Sequence, residues 1–150
     1  MSFLEVGFVA VNLLSNALFI LLIAAPGSSI TQRVISGWWY LVVLGVYFFV
    51  MLGYGLWHAG WQATMGAVFP ATLTGIHGIF QIPEMTAGSW SHYLVDDLFI
   101  ARWIFLREPE RGYRLSPIFL LCAIATPLGL LTYLGIEQLR GARSHEPAHA

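Results

Sequence analysis

The chain of 150 residues is 57% hydrophobic and only 10% charged, less than half the charge an ordinary soluble domain of that size carries. That much apolar surface exceeds what a small globule can hide from water, which argues against a soluble fold and points to a bilayer. The net charge of −1, with seven Arg and no Lys against eight acidic residues, offers no electrostatic attraction for nucleic acid.

The first apolar run covers residues 3–25, about the twenty residues that a helix needs to cross a hydrocarbon layer of roughly 30 Å. Glu5, with no Arg or Lys before the run, argues against a cleaved signal peptide, so this segment is expected to stay. Pro26 and Gly27 end it, and the polar residues 28–33 are expected as a short turn. A second span, 38–57, is framed by Trp38, Trp39 and Tyr40 at its start and by Tyr54 and Trp57 at its end, as at membrane interfaces. Residues 58–87 remain apolar, but Gly60, Gly66, Pro70, Gly75, Gly78 and Pro83 interrupt them too often for a continuous crossing. They predict a connection with short helical pieces, the alternative being a re-entrant segment. A third span, 89–106, leads into a charged hairpin, 107–115, and a fourth, 117–139, starts at Pro117, a favourable first-turn position. The polar tail 141–150 is expected to be disordered. The expected architecture is all-α: a polytopic four-helix transmembrane bundle, one domain over residues 1–140, with a Gly/Pro-interrupted connection between helices 2 and 3. Arg33, Arg107, Arg111 and Arg114 in the two short loops, against Arg140 and Arg143 near the termini, favour short loops on the cytoplasmic side.

The third span carries both signs of charge. Asp96 and Asp97 fall near its centre, where each ionised group costs about 2.5–3.5 kcal/mol to insert, whereas Arg102 can snorkel toward the interface. His92 and Asp96, at i and i+4, share a helix face and are predicted to pair. Asp97 is poorly aligned with Arg102, so it is expected to meet another helix, for which Asn12, Ser15 and Asn16 offer a polar stripe. Two readings of the cluster stand side by side. In one, Asp, Arg, His and Asn form a polar network that holds the helices together. In the other, a buried Asp beside a His supplies general acid and base for an apolar substrate that enters from the bilayer.

Other candidates are weaker. His58 lies among small residues that would let a flat pigment approach, and His77 lies in an expected loop between Gly75 and Gly78, but a lone His at an interface is more often only that. His145 and His149 are expected to be solvated, and the single cysteine, Cys122, sits in an apolar run as packing. There is no HExxH spacing, no phosphate-cradling Gly-rich loop and no GxSxG elbow, so no metal site is assigned and neither phosphoryl transfer nor serine hydrolysis is supported.

The string AGSWSHYLVDDLFIARWI, residues 87–104, resembles the signature of the ABA4-like (abscisic acid-deficient 4-like) family of small multi-pass membrane proteins. Trp90, His92, Asp97, Leu98, Phe99 and Arg102 fill its Trp-x-His-x-x-x-x-Asp-Leu-Phe-x-x-Arg pattern. Less strictly, the resemblance extends to Ala25 and Pro26 upstream and to Pro127, Leu128 and Gly129 downstream, from about residue 12 to 136. It implies a four-helix integral membrane protein and, in plants, a role in making the carotenoid neoxanthin from violaxanthin, an isomerisation of an epoxide to an allene that needs no redox cofactor. On this reading the proton-transfer candidates are His92, Asp96, Asp97 and Arg102, and the substrate-contacting candidates are Trp90, Phe99, Trp103, Asn12 and Asn16. The expected partners are membrane lipids and a carotenoid or related apolar pigment, with no cofactor. The chain begins directly in a hydrophobic helix with no Arg- and Ser-rich transit segment, so a bacterial inner or photosynthetic membrane is expected. The alternative function is a non-catalytic accessory subunit whose Trp, Phe and Tyr surfaces contact pigment or membrane-protein partners.

Overall fold

The computed structural model of the protein describes residues 2–68, 72–108 and 115–144. Among these residues the chain forms seven helices and no strand: α1 (Phe3–Ala24), α2 (Ser29–Ser36), α3 (Trp39–Ala59), α4 (Trp61–Val68), α5 (Leu73–Ile79), α6 (Pro83–Arg107) and α7 (Ser116–Ser144). Pro70, most of the charged hairpin with Arg111 and Arg114, and His145 and His149 lie outside the described residues.

Several boundaries differ from expectation for local reasons. Residues 28–33, expected as a turn, instead start the two-turn helix α2. The Ser28 hydroxyl caps it by accepting from the Thr31 backbone N–H at 3.1 Å, and Thr31 and Ile35 are buried one turn apart. The expected interruption between spans two and three holds the short helices α4 and α5, so His77 is helical rather than in a loop. The third long helix begins at Pro83, whose ring suits a first turn, and not at residue 89. The helical path of α7 continues to Ser144, so the first residues of the expected disordered tail are helical. Inside α7, Ala125 has φ −158° and ψ 96°, a kink next to Pro127, which cannot donate to the preceding turn.

The chain divides into two compact units, one of Met1–Asn16 and Trp38–Asp96, the other of Ala17–Gly37 and Asp97–Ala150. In the first, α3 buries Tyr40, Leu44, Met51 and Gly55 along one face, while Val42, Val46, Phe49 and Trp57 are exposed on the opposite face. A helix that is apolar all round suits a hydrocarbon solvent. α3 and α6 approach closely at Gly88, where an added Cβ would lie 3.4 Å from Met51 Cβ and 3.5 Å from the Leu52 nitrogen. The Ser91 hydroxyl beside it donates to the Leu44 carbonyl at 2.9 Å. Small residues that let backbones approach are how helices associate where lipid removes the hydrophobic drive between them.

In the second unit Leu22, Ile35, Ile104, Phe105, Phe119 and Tyr133 are buried, with the Phe105 and Phe119 rings 6.4 Å apart. Arg107 pairs with Glu137 at 2.9 Å and Arg140 with Glu108 at 3.2 Å, tying the end of α6 to α7. Such exposed pairs contribute about 0–1 kcal/mol each.

Among the described residues three helices can cross a membrane by length and composition: α1, α3 and the Ser116–Arg140 part of α7. At 25 residues α6 is long enough, but its Glu84, Asp96, Asp97, Arg102 and Arg107 keep it from being apolar enough. The structure therefore supports an all-helical fold with three apolar spans, one fewer than the four expected from the sequence.

Thr31 is fully buried and its hydroxyl donates to the Ala25 carbonyl at 2.7 Å, joining the end of α1 to α2. Thr31→Val removes that donor and leaves the carbonyl with the Ser28 N–H at 3.1 Å; it is expected to destabilise by about 0.5–1.5 kcal/mol, read as a lower midpoint of thermal unfolding in detergent.

Candidate functional site

The polar side chains of α6 mark the site. Asn12 Nδ2 donates to the Phe8 carbonyl one turn back in α1 at 2.7 Å, which turns its Oδ1 outward to accept from Trp90 Nε1 at 2.9 Å. The sequence singled out both residues, and the structure brings them together across 78 positions. Asn16 is exposed, and the Ser15 hydroxyl between them is buried without a hydrogen-bond partner, so the expected stripe is used only at Asn12.

Two residues along α6 from Trp90, His92 Nδ1 lies 3.1 Å from Asp96 Oδ2, the i, i+4 pairing expected from the spacing. The His92 ring meets Phe48 of α3 edge-on, with centroids 5.4 Å apart. The acidic partner was expected to be buried. Instead the His92 and Asp96 side chains are 53% and 55% exposed. With Asp96 ionised, Nδ1 carries the proton and donates, and Nε2 is left as the basic nitrogen.

Phe48 also lines a mostly apolar cavity of about 310 Å³ within the same unit. Its walls include Leu56 of α3, Trp61 and Met65 of α4, Ile79 of α5, and Ser89 of α6, one turn before His92. The Gly/Pro-interrupted connection thus supplies two short helices that close over one side of α3 and α6.

The remaining candidates belong to the second unit. Asp97 is partly buried and Phe99 exposed. Trp103 packs edge-on against Tyr133, with centroids 5.7 Å apart, and under the Arg107 guanidinium at 5.1 Å. Arg102 reaches the segment between the first two spans. It is 8% exposed and donates through Nη2 to the Ser36 carbonyl at 2.8 Å and through Nε to the Gly37 carbonyl at 3.3 Å. A fixed cation at the carboxyl end of α2 satisfies carbonyls that the helix leaves open and complements its dipole.

One residue escaped the sequence reading. Glu84, in the first turn of α6, lies 3.1 Å from His58 Nδ1 and links α6 to α3, with the Tyr54 ring 4.1 Å from the imidazole. Its only signal was a lone acid next to a helix-starting proline. His77, now on α5, lies 3.4 Å from Gln81. Among the described residues no group of three or more His, Cys, Asp and Glu side chains is placed to hold a metal ion.

A family model described as ABA4-like (ABA DEFICIENT 4-like) matches residues 6–133, which include all the site residues above. The chain is also similar to Protein ABA DEFICIENT 4, chloroplastic, of Arabidopsis thaliana, with 26% identity over 121 residues that cover 77% of this chain and 53% of that protein. The chain thus spans about half the length of that relative. No solved structure matches it. The chain belongs to the ABA4-like family.

Arg102→Met keeps the apolar stem but leaves the Ser36 and Gly37 carbonyls without their charged donor. It is expected to destabilise by about 2–3 kcal/mol, with Arg102→Lys losing less. Thermal unfolding of the two variants in detergent checks the order.

Proposed function

We propose, from membership of the ABA4-like family and the placement of the α6 side chains, that this is a multi-pass protein of a carotenoid-containing membrane, with α6 as a fourth crossing. Its substrate is an epoxy-carotenoid or related isoprenoid dissolved in the bilayer, which it binds and isomerises, with His92 and Asp96 acting as one proton-transfer unit. A bacterial inner membrane or a photosynthetic membrane meets that description.

The observation that carries this reading is that the His92–Asp96 contact lies within one helix. An i, i+4 ion pair adds only about 0.2–0.5 kcal/mol to a helix and joins it to nothing else. Ionisable groups inside a span cost several times as much. Assembly therefore does not explain the pair, whereas access from the bilayer and a paired imidazole suit proton transfer.

Opening an epoxide to an allene moves one proton from carbon to oxygen and leaves the composition unchanged. Neutral His92 takes the carbon-bound proton on Nε2 as the allene forms and the carbon–oxygen bond breaks. Asp96 stabilises the resulting imidazolium through Nδ1–H, and the same Nε2 proton is returned to the alkoxide. The cycle ends with both side chains in their starting states. Phe48 and Tyr93 supply aromatic surface beside His92, and Trp90, held by Asn12, adds an indole elsewhere on α6.

Expression in a bacterium that accumulates violaxanthin, with pigments resolved by chromatography and mass, tests the reading. The wild type is expected to form a product of unchanged mass. His92→Gln should lower its yield by about 10²-fold or more, and Asp96→Asn should lower it by a smaller factor at normal protein level. Conversion at the wild-type rate by both variants would sink the catalytic role, and binding without conversion by the wild type would leave a carrier.

A further inference from the structure

We propose that the cavity between α3, α4, α5 and α6 is the seat for the cyclic end group of an isoprenoid, with the polyene chain extending out of it. This rests on the reading above that the ligand is a bilayer-dissolved isoprenoid, and it adds where and by which end that ligand is held.

Size comes first. At the packing density of protein interiors, about 310 Å³ holds about 230 Å³ of ligand, on the order of a dozen carbon atoms. A whole carotenoid is several times too large, whereas a methyl-substituted six-membered ring with the first carbons of its chain fits. The lining has the matching chemistry. Phe48 and Trp61 present aromatic surface from two different helices, which suits a flat, unsaturated ring. The polar groups of the wall are the hydroxyls of Thr64 and Ser89 and the indole N–H of Trp61, enough to meet one or two ring oxygens. The Thr64 hydroxyl already donates to the Gly60 carbonyl at 3.1 Å, so toward a ligand it is an acceptor.

Position comes second. Phe48 touches both the cavity and the His92 ring, and Ser89 lies one turn from His92 on α6, so the cavity adjoins the proton-transfer pair across the Phe48 ring. A second hollow of about 250 Å³ shares Thr64 and Ile79 with the first and is lined by Gly75 and Gly78 of α5. At Gly78 a Cβ would meet no atom within 4 Å, which leaves open space along α5 for the start of a chain.

The test uses the full chain purified in detergent and all-trans-retinol, a ring-ended fluorescent isoprenoid, as probe. Energy transfer from tryptophan to retinol is expected to saturate. β-Ionone, which carries the ring, should displace the probe at concentrations at least tenfold lower than its acyclic isomer pseudoionone. Ser89→Phe and Ile79→Phe fill the cavity from different helices, and each should weaken retinol binding at least tenfold with helical circular dichroism intact. Equal displacement by the two ketones, or wild-type retinol affinity in both folded variants, overturns the ring seat. Should the filled variants lose retinol while His92→Gln still converts substrate, the catalytic reading falls and the seat stands. The reverse pattern removes the seat alone.

Discussion

The structure depends on one constraint: in a chain this apolar, a charged or strongly polar side chain within a long helix is costly unless it finds a partner, because the surrounding solvent supplies none. α6 concentrates the problem, and the fold is arranged around its solution. Ser91 donates to a carbonyl of α3, Trp90 to a side chain of α1, and Arg102 to the last carbonyls of α2. Each bond joins a different helix to α6. The helices of a membrane protein gain little from apolar contact with one another, since lipid is an equally good neighbour, so these directional bonds and the close packing at small residues decide which helices associate. The bond to α2 also works in reverse: a two-turn helix is marginal alone, and a buried guanidinium at its end together with the Ser28 cap at its start gives it two fixed boundaries.

The same constraint gives the first unit a firm wall and a softer cover. At Gly88 and Ser91 the backbones of α3 and α6 are close and hydrogen-bonded. The hollow on the α4 and α5 side is bounded by helices of eight and seven residues, too short to be stable without their packing. A ligand there would meet a rigid face on one side and an adjustable one on the other, a division of labour suited to admitting a bulky ring from lipid.

What was legible in the sequence follows the range of the interactions. The long apolar helices could be read from composition, and the His92–Asp96 pair from helical geometry alone, because its partners are four residues apart. Asn12 and Trp90 were both conspicuous, yet nothing local says that they meet across 78 residues. Glu84 was missed for the same reason. α2 was misread because a polar stretch after Pro26 and Gly27 has the composition of a turn, although Ser28 three residues before Thr31 was a capping signal. For Arg102 the reach of a long cation was legible, but not its partners, the open carbonyls at the end of α2, which lie 65 and 66 residues away in the chain.

The two readings of the α6 charges separate once each contact is assigned to its helices. A polar network that exists to assemble a membrane protein must link different helices, as Trp90 to Asn12, Ser91 to Leu44, His58 to Glu84 and Arg102 to Ser36 all do. His92 and Asp96 do not. Their ion pair stays within α6, with an aromatic contact from the His92 ring to Phe48 of α3, and leaves both side chains about half exposed. The polar contacts of α6 therefore fall into two kinds among neighbouring residues, distinguished by whether the hydrogen-bonded partner lies on another helix.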